Sequence, residues 1–139
     1  MKATNLDDAG AVILLETLAE ANEAMVKIAT AMRAKPGQRE VVRGGDVRKY
    51  LSEPVVEAYV EVETVSGDAF CWWFEINRVG DEWRIEGSLR RTNGDGQDAL
   101  RNFPSQPART VTQLRDEARN TLAALVSSAE SFTLKAPSA

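Results

Sequence analysis

The stretch AFCWWFEINR, Ala69 to Arg78, decides how this chain is read. Successive side chains on a β-strand point to opposite faces, so residues two apart share a face. Phe70, Trp72, Phe74 and Ile76 therefore line one side, and Cys71, Trp73, Glu75 and Asn77 the other. The first set is large and apolar throughout and demands a core. The same period forces the second of the adjacent tryptophans, Trp73, onto the opposite face.

The flanking segments repeat the pattern. PVVEAYVEVETV, Pro54 to Val65, places Val56, Ala58, Val60 and Val62 on one face and Glu57, Tyr59, Glu61 and Glu63 on the other. EWRIEGSLRRT, Glu82 to Thr92, turns Trp83, Ile85 and Leu89 inward and Arg84, Glu86, Ser88 and Arg90 outward. The turns SGD (66–68) and GD (80–81) separate these runs. Short turns between alternating strands predict an antiparallel meander with one buried face.

Helical periodicity brackets the meander. From Asp7 to Ala34, Ala11, Leu14, Leu18, Ala21, Met25, Ile28 and Met32 recur at three- and four-residue steps and form one apolar stripe. Thr4 or Asn5 can cap this helix, and the proline in KPG (35–37) ends it. A second helix starts near Thr110, where Thr110 and Gln113 match a capping box. Its stripe is Val111, Leu114, Ala118, Leu122, Leu125 and Ala129. Between helix and meander, QREVVRGGDVRKYL (38–51) reads as a hairpin about Gly44-Gly45, with a strand followed by a helical turn as the competing reading. NGDGQD (93–98) breaks the pattern, and LRNFPSQPAR (100–109) reads as a loop with two prolines. The expectation is one α+β domain over residues 1–134. It has an antiparallel sheet of three to five strands, an N-terminal and a C-terminal helix packed on one face, and a disordered tail at 135–139.

Composition narrows the function. The chain has 139 residues, a net charge of −4 and an ordinary apolar share of 43%. That balance argues against nucleic acid as a partner. No apolar run is long enough to span a bilayer, and the aspartates at Asp7 and Asp8 stand where a signal peptide would be apolar. One cysteine permits no intramolecular disulfide. A cytoplasmic location is expected. The charge is unevenly spread: Ser52 to Asn77 holds six acids and no lysine or arginine, whereas Arg39, Arg43, Arg48 and Lys49 cluster just before it.

Histidine is absent, which removes Ser-His-Asp and Cys-His catalysis, histidine proton shuttles and the commoner zinc sites. Cys71 lies among large aromatics and reads as a packed residue. RGGDVRK lacks the spacing of a phosphate-binding loop. NGDGQD departs from a calcium loop because Asp98 and Pro104 fill the places of the required glycine and glutamate. The glutamates of Pro54–Val65 read as a solvated strand face. No catalytic residue, cofactor or metal is expected.

What remains is the outward face. Trp73 in the middle strand has Tyr59, Glu57, Glu61 and Glu63 on one side, with Glu75 beside it and Arg84, Glu86 and Arg90 on the other side. An aromatic centre in an acidic surround is suited to docking a basic protein.

The meander VEAYVEVETVSGDAFCWWFEINRVGDEWRIEGSLRRTNGDGQ and the capped helix RTVTQLRDEARNTLAALV together resemble, in architecture, the immunity proteins that bacteria pair with secreted toxins. That resemblance implies a non-enzymatic antitoxin and a cognate toxin, often a basic nuclease or deaminase, whose cleft an acidic face can plug. Three alternatives stay open: a small-molecule pocket protein or small enzyme similar to the nuclear-transport-factor-like fold, a secretion chaperone, and a homodimer using the same face.

Overall fold

The computed structural model describes residues 8–50, 53–93 and 96–134, with the backbone alone described at 46–50, 53–55, 93 and 97. The Thr4 and Asn5 cap and the 135–139 tail lie outside the described residues. The elements run α1 (Asp8–Arg33), β1 (Gln38–Tyr50), β2 (Glu53–Thr64), β3 (Ala69–Val79), β4 (Glu82–Asn93), β5 (Gly96–Phe103) and α2 (Val111–Ser131). The strands form one five-stranded antiparallel sheet in chain order, β1-β2-β3-β4-β5. The fold is α+β, as the periodicities predict.

Register explains which face is buried. Val56 pairs with Ile76, Ala58 with Phe74, Val60 with Trp72 and Val62 with Phe70. On the far side of β3, Trp72 pairs with Leu89 and Ile76 with Ile85. These residues meet Met25, Ile28 and Met32 of α1 and Leu114, Leu122 and Leu125 of α2 in one core. Each large apolar side chain removed from water contributes about 1.5–3 kcal/mol. Trp72 is fully buried at the centre, and its indole Nε1 donates to Ser128 Oγ at 3.4 Å. Phe132, just past α2, packs edge-on against both Phe70 and Trp72, with centroids 5.0 and 5.3 Å away.

The helices share the work by position. α1 touches β1 and β2, whereas α2 touches β3, β4 and β5. Because five strands separate them, the helices run parallel: Glu20 pairs with Arg119 near mid-helix, and Lys35, just past α1, reaches the Glu130 carbonyl near the end of α2. α2 begins at the capping box, Thr110 Oγ1 accepting from Gln113 N–H at 3.1 Å and Gln113 Oε1 accepting from Thr110 N–H at 3.3 Å. Gly87 lets it approach the sheet closely, facing Thr121 and Leu125.

Two expectations are corrected. Gly44-Gly45 makes no hairpin: β1 continues through both, pairing Gly44 with Tyr59 and Gly45 with Ala58. A tight hairpin turn needs positive φ, and these two glycines are not among those that have it. The residues read as the start of a proline-rich loop instead carry β5 as far as Phe103, which pairs with Gly87. The loop proper begins at Pro104, whose missing N–H cannot extend a ladder.

The outward sheet face as candidate functional site

Both helices lie on one side of the sheet, so the other side carries the outward residues in rows set by strand register. One row is Glu57, Glu75 and Glu86, directly opposed across β2, β3 and β4. The next is Gly44, Tyr59, Trp73 and Ser88. The third is Glu61, Cys71 and Arg90. Adjacent strands lie about 4.8 Å apart, so each row is a line of closely spaced side chains running across the strands.

The aromatic row is tightly built. Tyr59 and Trp73 are stacked, with ring centroids 5.8 Å apart and planes 11° from parallel. Tyr59 also lies over β1, which is possible because residue 44 is glycine: a Cβ there would meet the phenol Cζ at 2.5 Å. Above Trp73, the Arg90 guanidinium carbon sits 4.8 Å from the ring centroid. Ser88 Oγ holds that guanidinium by accepting from Arg90 Nε at 2.9 Å. Trp73 is therefore half-buried on the open face, clad by its own neighbours. Its indole Nε1 is shielded and has no hydrogen-bond partner among the described residues.

The acidic row is electrostatically unfavourable in isolation, since like charges directly opposed across strands destabilise a sheet. Asn77 Nδ2 donates to Glu75 Oε2 at 3.0 Å and relieves part of this. Glu57 is buried, while Glu86 is exposed. Glu63 stands two residues beyond Glu61, opposite Ala69, and bonds Arg39 at 3.3 Å. Arg84 opposes Asn77, one row beyond the acids, and lies 3.9 Å from Glu82. The fold thus brings Glu57, Tyr59, Glu61, Trp73, Glu75 and Glu86 into one patch and leaves Glu63 and Arg84 at its ends.

Cys71 belongs to this face yet is only 3% exposed. Burial pushes its thiol up to about 12, the Glu61 charge adds to the rise, and Arg90 opposes it. A thiol held neutral is a poor nucleophile. No group of acids and cysteine that could hold a metal ion occurs among the described residues. No described helix is long and apolar enough to cross a membrane.

Two details of this arrangement were not read from the sequence. Gly44, read as a turn residue, is the platform for Tyr59. Arg90 was placed outward by the period of two, but its seat over Trp73 depends on a diagonal contact between β3 and β4. Its signal is the Ser88-Leu89-Arg90 spacing, which puts a hydroxyl and a guanidinium on one face.

Comparison with protein-family models, curated proteins and solved structures finds no match for this chain.

Proposed function

We propose that this chain is a non-enzymatic, cytoplasmic protein-binding module that neutralises a basic partner protein through its outward sheet face, in the manner of an immunity protein or antitoxin acting on a cognate bacterial toxin. The observation that carries the reading is the Glu57–Glu75–Glu86 row lying beside the Tyr59–Trp73 stack. Glu61, Glu75 and Glu86 give the aromatic pair an acidic surround, to which a cationic partner would be electrostatically complementary on docking. The adjoining aromatic pair supplies rigid apolar area of the kind that anchors interfaces. A pocket reading would need Tyr59 and Trp73 to line a hollow, whereas the two rings stack on each other beneath Arg90.

The test has two stages. Tagged wild type and Trp73→Ala are compared for capture of a basic protein from the native host. That protein is then purified, and its activity is titrated with the chain. The expected result is stoichiometric inhibition, weakened by Trp73→Ala and by Glu61→Lys with Glu63→Lys. Equal inhibition by all three at low salt would move the interface off this face.

A further inference from the structure

We infer that the chain forms a twofold dimer through the free edge of β1, joining the sheets of two copies into one continuous sheet. This edge adjoins the outward face at Gly44 and Tyr59, and the inference does not rest on the docking reading.

The two edges of the sheet differ. β5 spans eight residues, is interrupted by a bulge between Leu89 and Arg90 on its partner, and runs into Pro104. Those are the devices that blunt an edge. β1 spans thirteen residues and, among the described residues, pairs only with β2. Its one irregularity lies at the start, between Gln38 and Glu40. The rest is a regular row of backbone donors and acceptors open to another strand.

The helix above this edge is apolar on the same flank. Asn22 of α1 accepts from Arg43 of β1 at 2.8 Å, which fixes the side of α1 that overhangs the edge. Leu15, Ala19, Asn22 and Val26 fall at four-, three- and four-residue steps and share that side. Leu15 is 65% exposed and Val26 40%. The opposite flank, carrying Glu20 and Lys27, adjoins α2. A cleft of about 600 Å³ also opens between α1 and β1–β2, lined by Leu18, Ala21, Met25, Gly45, Val56 and Ala58.

One copy of the same chain satisfies all of this at once. Opposed residues of an antiparallel pair share a face, so a twofold pair of β1 strands must be centred on a residue. Centring on Gly44 places the register positions of Glu40 opposite Arg48 and of Val41 opposite Val47 of the second copy. Centring on Arg43 would oppose Glu40 to Asp46, and centring on Gly45 would oppose Val41 to Lys49. Of the three registers only that on Gly44 opposes opposite charges and sets valine against valine in the middle of the strand, and its like-charged pair, Arg39 with Lys49, falls at the strand ends. That register also brings together the two Tyr59 rings, each seated over its own Gly44, so that the two stacks form one aromatic band.

The helices fit the same operator. α1 touches both β1 and β2, so it lies over the boundary between them. Its distance from the twofold axis is then about one strand spacing, and the two α1 axes stand about 10 Å apart, the packing distance of helix pairs. Leu15 and Val26 of each copy would be covered by the other. The interface is isologous and closes on itself, so no filament forms.

Sedimentation of the wild type over a wide concentration range should show twice the 15.2 kDa mass of one chain. Amides of Val41 to Gly45 should exchange more slowly as dimer forms. Leu15→Glu with Val26→Glu changes two exposed positions, so folding, checked by circular dichroism, should be retained while dimerisation weakens by at least about tenfold. A wild type that stays monomeric at every concentration overturns the inference. So does a dimer whose affinity is untouched by the two substitutions, or one whose β1 amides gain no protection.

Discussion

Gly87 and Thr121 are so close that a Cβ on residue 87 would lie 2.5 Å from the Thr121 Cγ2 methyl. This contact sets how near α2 comes to β4. Alanine is ordinarily favoured over glycine inside a strand by about 0.5–1 kcal/mol, but here the added methyl has no space. Gly87→Ala should therefore destabilise the fold by about 1–3 kcal/mol. In a Thr121→Ser background, which lacks the methyl, most of that loss should vanish. Urea unfolding of the two single variants and the double variant checks the cycle. Additive losses would show that Thr121 is not the obstacle.

The adjacent tryptophans should behave as different residues. Trp72→Ala removes a fully buried ring and should cost about 3–5 kcal/mol. Trp73→Ala removes a stack on Tyr59 and a cation–π contact with Arg90, which together are worth about 1–2 kcal/mol. Denaturant midpoints measured side by side separate the two. Losses of equal size would contradict the assignment of faces.

Cys71 gives an alkaline signature. Its folded thiol titrates at about 12, above the ordinary 9.0. A raised value means the folded chain holds the proton more tightly, so stability is intact below the ordinary value and is lost as pH rises towards the folded one. Melting temperature should fall between those two pH values, and Cys71→Ala should flatten that fall. At neutral pH the native thiol should resist aromatic disulfide reagents and react only on unfolding.

The helix pair is joined by Arg119, whose guanidinium forks onto Glu20 with contacts of 2.7, 2.9 and 3.0 Å. These hydrogen bonds hold the Glu20 carboxyl below its usual value. The stabilisation is therefore present above the ordinary carboxylate range and disappears as pH falls through the lowered value. Arg119→Ala should depress the melting temperature modestly at neutral pH, and the two curves should converge in acid. A constant gap at all pH values would assign the effect to lost packing.

Most of this architecture was legible because a single period governs β2, β3 and β4. Val60, Trp72 and Leu89 fall inward by simple alternation, and Tyr59 and Trp73 fall outward for the same reason. β5 was not legible, since its inward positions include Arg101, stacked 4.7 Å over Phe103, and its Leu100 is 48% exposed. A bulge breaks the period there, and the strand is held by ladder pairing more than by an apolar face. β1 was obscured by Gly44-Gly45, residue types whose usual meaning is a turn. Their use here is steric. A long-range neighbour, Tyr59, required the absent side chain, and no local pattern encodes that.

The parallel arrangement of the two helices also dictates an order of assembly. Glu20 and Arg119 meet across a sequence separation of 99 residues, whereas every strand pair joins chain neighbours. During synthesis the hairpins can close early and α1 can shelter β1 and β2, but Trp72, Phe74 and Leu89 await α2, which is made after all five strands. Until it emerges, half the apolar sheet is uncovered and open to aggregation. A ribosome that pauses before Val111 would thus hold a nascent chain most in need of a chaperone, and release of α2 would end that exposure in one step.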